Sequence, residues 1–503
     1  MRSKSAFQNL AGAIILQLTI VITGIYIPQL MIVTYGSTVN GMVSSVAQFI
    51  SYISLVEAGI GNASLVALFI PIANKNHKKI NSIMTATRQY YLKAGEIFGI
   101  LLVGLAIVYP LISGNELSHS LTRWMVFVLG SSTLVDFLIL GKYRVFLNAN
   151  QKGYIVSFTQ SVGTILNALI CILLMKFRCS ILMVKAIATF VYILRTLYVL
   201  IYVKKNYSYL SFTEVPDKNA LKKRWDVLIH QITGVVVNST DVVVLTTFLK
   251  NFSEISVYTV YNLIASNIIT LLDSFSGSLC SVFGEVFAKE EEDIAKESYS
   301  IYEYIFSFIS FLAGTCMLIL MIPFMNVYTA GIKDAQYIRP VTAMLFTVIV
   351  LARSIRTPAM TMIMAVGHYK ETKRAAIIEA GINISVSLLL VRSLGINGVL
   401  VGTVCSYLYR TTDIIIYVGR HIVPGTIKMT MCRAVRNLVV MLVLYNISSR
   451  FELSIVTWMD WFLYAVVVGC ISLVVFIVVN ACFEMQMAKK VLNVVKRVGG
   501  KKI

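Results

Sequence analysis

The residues best suited to do chemistry in this chain are charged side chains that interrupt long apolar stretches. Each such charge costs about 2.5–3.5 kcal/mol inside a membrane even on a lenient scale, so a function or a partner is expected for it. Arg353 and Arg356 are three residues apart and share a helix face, and Pro358 should bend that helix. No acidic residue lies within four positions of either arginine on this helix. The pattern favours contact with a bound anion, and the alternative is that Glu379 on the next helix neutralises one of the two.

A second pair of arginines, Arg195 and Arg410, lies in two segments of almost the same sequence, 215 residues apart. The shared residues are Tyr192, Arg195, Thr196, Tyr202 and Val203 in the first segment and Tyr407, Arg410, Thr411, Tyr417 and Val418 in the second. The matched frames indicate that about 200 residues were duplicated, an architecture found mainly in transporters. Both arginines are candidate substrate-binding residues. The alternative is structural, because Asp413 follows Arg410 by three residues on the same helix face.

The remaining candidates are acidic or neutral polar residues. Asn238, Thr240 and Asp241 form a polar cluster within an apolar stretch. Their oxygens suit a proton or Na⁺, so they are candidate ion-coupling residues; the alternative is a hydrogen-bonded contact between helices. Glu57 is followed by alanine and glycine, which allow a helix or ligand to approach closely, and Asp273 is nearly its counterpart in the second copy. Both are candidate substrate-binding residues.

The elements that must position these residues are membrane-spanning helices. Hydrophobic residues make up 57% of the 503 and charged residues 14%, and the apolar residues form blocks long enough to cross about 30 Å of hydrocarbon. The blocks predict an all-α polytopic membrane protein with about fourteen spans. The predicted spans are 9–33, 41–70, 90–112, 124–147, 154–177, 180–203, 226–249, 255–288, 300–328, 340–366, 374–392, 395–419, 433–448 and 458–483. The spans 41–70 and 255–288 are long enough that they must tilt, bend or protrude from the bilayer.

The distribution of positive charge predicts the orientation. The net charge of +20 would raise the question of nucleic acid in a soluble protein, but here the basic residues lie between apolar blocks, so no nucleic-acid partner is expected. With a cytoplasmic N-terminus, 31 of the 44 Lys and Arg residues fall on the cytoplasmic side. Both termini are therefore predicted to be cytoplasmic, with membrane lipid around the spans and anionic lipid near the basic tail.

The duplication divides the chain into four parts. A six-helix lobe is predicted at 1–203, a cytoplasmic linker at 204–225, a second six-helix lobe at 226–420, and two extra helices with a basic tail at 421–503. Because each copy has an even number of helices, the two copies enter the membrane with the same polarity, and their pseudo-two-fold axis should run along the membrane normal. Short outer loops, the lack of a Walker loop and the lack of metal-ligand spacing argue against an enzyme and against any cofactor.

Several short motifs in this sequence resemble those of the polysaccharide-biosynthesis (Wzx-like) flippases. These flippases belong to the multidrug/oligosaccharidyl-lipid/polysaccharide (MOP) exporter superfamily, and the likeness covers about residues 1–420. The motifs are Arg2–Phe7, Tyr35–Ser37, Asn40–Gly41, Ser54–Gly59, Asn150–Tyr154, Arg224–Asp226, Thr240–Asp241, Tyr337–Pro340 and Gly367–Thr372. The resemblance implies a bacterial cell-membrane protein whose two lobes face a central, MATE-like cavity. Its implied cargo is a lipid-linked oligosaccharide of the undecaprenyl-diphosphate type, flipped from the inner to the outer leaflet for assembly of a surface polysaccharide.

Three hypotheses follow from the sequence. A flippase with a hydrated, cationic cavity would use Arg353 and Arg356 to hold a diphosphate, and proteins of polysaccharide assembly would be its partners. A multidrug/cation antiporter of the same fold would use acidic residues such as Asp241 and Glu57. A scaffold that transports nothing is the third. In this superfamily spans 1, 2, 7 and 8 chiefly line the cavity, which favours Glu57, Asp241 and Asp273 over Arg195 and Arg410 as direct ligands.

Overall fold

The chain folds into helices joined by short loops. The computed structural model describes residues 2–217, 224–288, 292–451 and 455–500. In the first half the helices are α1 (Arg2–Tyr35), α2 (Ser37–Ile53), α3 (Ile60–Ala73), α4 (His77–Ile112), α5 (His119–Val135), α6 (Gly141–Ala149), α7 (Gly153–Lys176), α8 (Ile181–Asn206) and α9 (Arg224–Phe248). In the second half they are α10 (Phe252–Ala288), α11 (Glu292–Tyr328), α12 (Pro340–Val366), α13 (Tyr369–Leu394), α14 (Ile396–His421), α15 (Ile427–Ser448), α16 (Trp458–Phe483) and α17 (Met485–Gly500). The described residues contain no strand, and the prediction of an all-α polytopic protein is confirmed.

The helices coincide with the predicted spans. Among the described residues, twelve helices are long and apolar enough to cross a membrane, and each matches one predicted span. The other two predicted spans, 226–249 and 433–448, coincide with α9 and α15. Of α9, the stretch Ser239–Phe248 is apolar in the described part, while α15 carries two arginines in its first half.

Capping residues fix several helix starts. The side chains of Asn76, Ser118 and Ser180 accept hydrogen bonds from backbone N–H groups in the first turns of α4, α5 and α8. Thr457 and Asp460 form a reciprocal capping box at the start of α16. These caps satisfy N–H groups that no carbonyl of the same helix can reach. The loops between spans can therefore be short without leaving polar backbone exposed to lipid.

Two spans depart from regular α-helix next to candidate residues. The second span bends as predicted: a 3₁₀ turn (Ser54–Glu57) follows α2, and Gly59 takes φ 83°, which L side chains rarely adopt, before α3 begins. The fourth span continues from α5 to α6 through one π-helical turn at Asp136–Leu140. Such turns insert one residue and are frequent at functional sites. The predicted span 255–288 is instead continuous in α10.

The described chain forms two compact units, Met1–Thr259 and Val260–Ile503, which divide within α10. The lobes inferred from the duplication, 1–203 and 226–420, are defined by repeated sequence, whereas these units are defined by contacts. The lobe boundaries stay a prediction.

In the first unit, α2 packs against α9 and the start of α10 through short polar side chains. Hydrogen bonds join Thr38 to Ser253 (3.0 Å), Asn40 to Ser256 (2.7 Å) and Ser45 to Thr246 (2.6 Å). Gly41 allows the closest approach, since a Cβ atom there would lie 1.7 Å from the carbonyl oxygen of Phe252. This interface is called the hydroxyl seam below.

In the second unit, α14 packs against α12 and α13, while α15 and α16 pack on α11. A buried ion cluster ties the last helices to α11: Arg433 contacts Glu303 and Glu484, each at 2.6 Å, and its side chain is 1% exposed. The two extra helices predicted at the end of the chain are thus an integral part of this unit.

Candidate functional site

Glu57 lies at the break of the second span, where two cavities meet. Its Oε1 accepts a hydrogen bond of 2.6 Å from the hydroxyl of Tyr91 on α4. The first cavity, of about 180 Å³, is lined by Glu57, Ala58, Gly59, Gly61, Asn62, Leu65, Tyr91, Arg144, Val145 and Asn148. The second, of about 340 Å³, is lined by Ser54, Leu55, Glu57, Ala58, Gly234, Val235 and Ser239. Glu57 and Ala58 belong to both walls, so the carboxylate can reach a ligand in either cavity.

An ion pair that was not predicted from the sequence lies next to the first Glu57 cavity, whose wall includes Arg144. Arg144 donates to both carboxylate oxygens of Asp136 at 3.2 and 3.0 Å, and Tyr192 donates to Asp136 Oδ1 at 2.9 Å. Asp136 and Arg144 are eight residues apart, which in a regular α-helix offsets their side chains by about 80° around the axis. The π-helical turn takes up one residue and brings them near one face. Their spacing in the sequence therefore gave no signal of the pair.

Arg195 stacks on an aromatic ring within this cluster. Its guanidinium carbon lies 4.4 Å from the centroid of the Tyr192 ring, and its Cδ lies near Gly163 on α7. Tyr192 in turn holds Asp136, so Arg195 is linked to the Glu57 cavity only through other side chains. This position fits a bracing role; its assignment as a substrate-binding residue stays a prediction.

Thr240 and Asp241 connect α9 to its neighbours in the first unit. Asp241 is 3% exposed, and its Oδ2 accepts a 2.9 Å hydrogen bond from the hydroxyl of Tyr258 on α10. The Thr240 hydroxyl is hydrogen-bonded to the hydroxyl of Tyr52 on α2 and to the carbonyl of Val236. The side chain of the third candidate, Asn238, lies outside the described residues. These contacts match the interhelical alternative, while ion coupling stays a prediction.

In the second unit, Arg353 is paired and half-buried. Its Nη2 lies 2.9 Å from Asp273 Oδ2, and the two side chains are 27% and 41% exposed. No contact between these two residues was predicted from the sequence, and the structure shows that they are paired. The partner could not be seen in the sequence because Asp273 lies on a different helix, 80 residues earlier.

Arg356 and Arg410 share one buried carboxylate. Glu379 lies 2.7 Å from Arg356 and 3.6 Å from Arg410, and Arg410 also contacts Asp413 at 2.8 Å and donates to the carbonyl of Thr372 at 3.2 Å. The alternative given for the two arginines of α12, that Glu379 neutralises one of them, is the one observed for Arg356. Arg410 forms the predicted pair with Asp413. Both arginines are nearly enclosed, with side chains 13% and 4% exposed.

Each of the two duplicated tyrosines contacts a guanidinium, but in the second unit that guanidinium does not belong to the counterpart of Arg195. Tyr192 supports the guanidinium of Arg195, and its counterpart Tyr407 lies under the guanidinium of Arg356, 4.6 Å from ring centroid to guanidinium carbon. A cation over an aromatic face is stabilised by the ring quadrupole. Among the described residues, no group of three or more His, Cys, Asp or Glu side chains has the geometry of a metal site.

Comparison with known proteins identifies the fold. No protein-family model and no curated protein matches this sequence. Among solved structures, the lipid II flippase MurJ in an inward closed conformation aligns with a TM-score of 0.65 and 14% identity, over 95% of this chain and 99% of that chain. An inward-facing multidrug resistance MATE family transporter of the MOP superfamily aligns with a TM-score of 0.61 and 15% identity, over 83% and 99%. A variant of the Vibrio cholerae MATE transporter VcmN aligns with a TM-score of 0.57 and 12% identity, over 83% and 96%. At these identities the likeness shows the fold alone, and this fold is shared with MurJ and the MATE transporters.

Proposed function

We propose that this protein is a flippase of the Wzx-like type. It would carry a lipid-linked oligosaccharide of the undecaprenyl-diphosphate type from the inner to the outer leaflet of a bacterial cell membrane by alternating access. Proteins of surface-polysaccharide assembly would supply and take up the cargo, and both termini of the flippase would be cytoplasmic. The likeness to the fold of MurJ over nearly the whole chain supports a flippase without specifying the cargo.

The observation that carries the proposal is the partly exposed ion pair of Arg353 and Asp273. Arg353 lies thirteen residues from each end of α12, which places it about 20 Å from either end. A charge facing lipid at that depth is costly, so the exposed part of this side chain is expected to face water. Water at mid-membrane depth is what a polar, sugar-bearing cargo requires.

The same pair can exchange its partner at little cost. A partly exposed ion pair is held less firmly than a fully buried one, so a diphosphate could replace Asp273 as the partner of Arg353. Guanidinium groups bind phosphate oxygens in a bidentate manner with charge-assisted hydrogen bonds. In this proposal Arg353 holds the diphosphate and Asp273 keeps the guanidinium in place when no cargo is bound. Arg356, on the same face of α12, and Arg410, which reaches Glu379 from α14, are positioning residues.

The first unit offers groups suited to sugar and to a coupling ion. Glu57 can accept hydrogen bonds from sugar hydroxyls in either of its two cavities.

Asp241, with Asn238 and Thr240, would bind the coupling proton or Na⁺. The Asp241→Asn variant should then transport at a rate that no longer depends on the ion gradient. Unchanged gradient dependence in that variant would rule out the coupling role.

The proposal is tested with purified protein in liposomes. A fluorescent undecaprenyl-diphosphate-linked oligosaccharide is placed in both leaflets, and a membrane-impermeant quencher reports how fast the inner pool reaches the outside. We expect the wild-type protein to equalise the pools, Arg353→Gln to lose most of that activity, and Lys333→Gln, which alters an outer-loop lysine, to keep it. Liposomes with wild-type protein that equalise no faster than empty ones would refute the flippase.

A cation antiporter is the second candidate, and the Glu57 site favours it. A carboxylate on a cavity wall, hydrogen-bonded to Tyr91, can exchange a proton for an organic cation. Under this alternative the same liposomes would take up a fluorescent organic cation in response to a proton gradient, and Glu57→Gln would abolish that uptake. Cation uptake without movement of the lipid-linked oligosaccharide would replace the flippase proposal by the antiporter.

A further inference from the structure

Another polar cavity lies in the first unit and shares no lining residue with the two cavities at Glu57. It has a volume of about 290 Å³ and opens among α4, α6, the end of α8 and the segment after it. The side chains that matter for its chemistry are Arg88, Lys142, Tyr143, Lys204, Tyr207 and Phe212. It is called the basic pocket below.

The charges of the basic pocket are all positive. Arg88 and Lys142 are close enough to repel each other electrostatically, and Lys142 is 7% exposed. Lys142 Nζ donates to the carbonyl of Leu138 at 2.7 Å, and the Arg88 guanidinium lies over the Phe212 ring at 5.3 Å. Within the described chain, no carboxylate forms an ion pair with Arg88, Lys142 or Lys204, and none lines the pocket. An anion would relieve this repulsion.

A buried hydroxyl in the same wall has no partner. Tyr207 is 9% exposed, and among the described residues its hydroxyl has no hydrogen-bond partner. Burying a hydroxyl without a hydrogen bond costs about 1–3 kcal/mol, so such groups in proteins usually have a ligand or a partner. A phenol donates to a phosphate oxygen, and the Lys152 ammonium lies over the same ring at 5.3 Å.

The depth of the basic pocket matches the inner headgroup layer. Arg88 is 24 residues from the predicted outer end of α4, and Lys142 and Lys204 are each 23 residues from the predicted outer ends of their spans. At 1.5 Å per residue all three lie about 35 Å from the outer ends, just beyond a hydrocarbon core of about 30 Å. Basic pockets between helices on the cytoplasmic side bind the head groups of anionic lipids.

We infer that the basic pocket binds a phosphate group at the inner membrane surface, with Arg88, Lys142 and Lys204 as its charged ligands and the Tyr207 hydroxyl as a neutral donor. The phosphate belongs either to an anionic lipid head group or to a soluble phosphate compound. This site is separate from Arg353 and does not depend on which cargo the protein carries.

The test uses the full-length protein in nanodiscs of phosphatidylcholine. Native mass spectrometry counts the phosphatidylglycerol molecules retained after its addition, and calorimetry measures the binding of inorganic pyrophosphate. Arg88→Gln and Lys204→Gln should weaken binding about tenfold or more, as expected for the loss of a charge-assisted hydrogen bond. Tyr207→Phe should weaken it by up to about tenfold while leaving the fold intact, because its hydroxyl has no protein partner to lose. Lys205→Gln, next to Lys204 but outside the pocket, is the matched control.

The outcomes separate the two sources of phosphate and the failure of the inference. Retention of phosphatidylglycerol that falls in the three pocket variants, but not in the control, supports a lipid head group. The same pattern seen only with pyrophosphate supports a soluble compound. If neither probe binds, or if Lys205→Gln weakens binding as much as Arg88→Gln, the pocket does not recognise phosphate. A negative result here leaves the flipping assay unaffected, so the two proposals fail separately.

Discussion

The buried carboxylate of Glu379 should contribute far more to stability than the exposed one of Asp273. Glu379 is the only carboxylate within 4 Å of Arg356 in the described chain, and its side chain is 9% exposed, against 41% for Asp273. Glu379→Gln removes the negative charge between two guanidinium groups. Arg410 keeps Asp413, while Arg356 keeps only the face of the Tyr407 ring.

The magnitude follows from the burial of the partners. Removing one member of a buried pair leaves an uncompensated charge and costs about 3–5 kcal/mol, whereas an exposed pair contributes about 0–1 kcal/mol. Glu379→Gln should therefore raise the equilibrium constant for unfolding by about two to nearly four orders of magnitude, at about 1.4 kcal/mol per factor of ten. Asp273→Asn should change it by less than a factor of about ten. The double variant Glu379→Gln/Arg356→Met should recover part of the loss, because no charge is then left unpaired at that position.

The assay is reversible unfolding in mixed micelles with increasing sodium dodecyl sulfate, followed by loss of helical circular dichroism. Wild-type protein, the two single variants and the double variant are compared under one condition. The reasoning about burial is refuted if Glu379→Gln is no less stable than Asp273→Asn, or if the double variant is less stable than Glu379→Gln alone.

Two further predictions concern the hydroxyl seam and the last helices. Gly41→Ala places a Cβ atom 1.7 Å from the carbonyl oxygen of Phe252, so it should lower the free energy of unfolding by about 1–3 kcal/mol in the same assay. Gly104→Ala is the control, because a Cβ atom there has nothing within 4 Å. Equal stability of the two variants would contradict the close approach of α2 to Phe252 in the hydroxyl seam. Burial alone would raise the pKa of Glu484, but hydrogen bonds and charge from the two arginines of α15 hold that pKa below its ordinary value. The contribution of ionised Glu484 to the stability of the folded protein is therefore complete above the ordinary pKa of a glutamate. It is lost as the pH falls through the lower pKa that Glu484 has in the folded protein. Thermal stability should decline toward acid more steeply in the wild-type protein than in Glu484→Gln, and parallel declines would argue against this role.

The sequence was sufficient for the helices and for pairs that lie close along the chain. Apolar blocks located the spans because a helix that crosses hydrocarbon needs about twenty apolar residues. The pair of Arg410 and Asp413 was foreseen because residues three apart share a helix face. Glu379 was foreseen as an alternative partner of Arg356 because it lies on the following helix.

Pairs that depend on tertiary packing or irregular backbone could not be predicted. Asp273 reaches Arg353 across 80 residues of chain, and no local pattern marks that contact. Asp136 reaches Arg144 because a π-helical turn shifts the helix by one residue. The basic pocket was missed because its cations were counted as orientation signals, and its orphan hydroxyl belongs to Tyr207, just past the end of α8.

The break in the second span divides it between different neighbours. α2 is hydrogen-bonded through the hydroxyl seam to α9 and the start of α10, while α3 packs chiefly on α4 and α6. Only Ala58 and Gly59 connect the 3₁₀ turn that ends the first half to α3. A rotation about the backbone torsions of Gly59 would let the first half follow α9 while the second half stays with α4. The second span then has a hinge at Gly59, and Glu57, which precedes the hinge, would move with the first half.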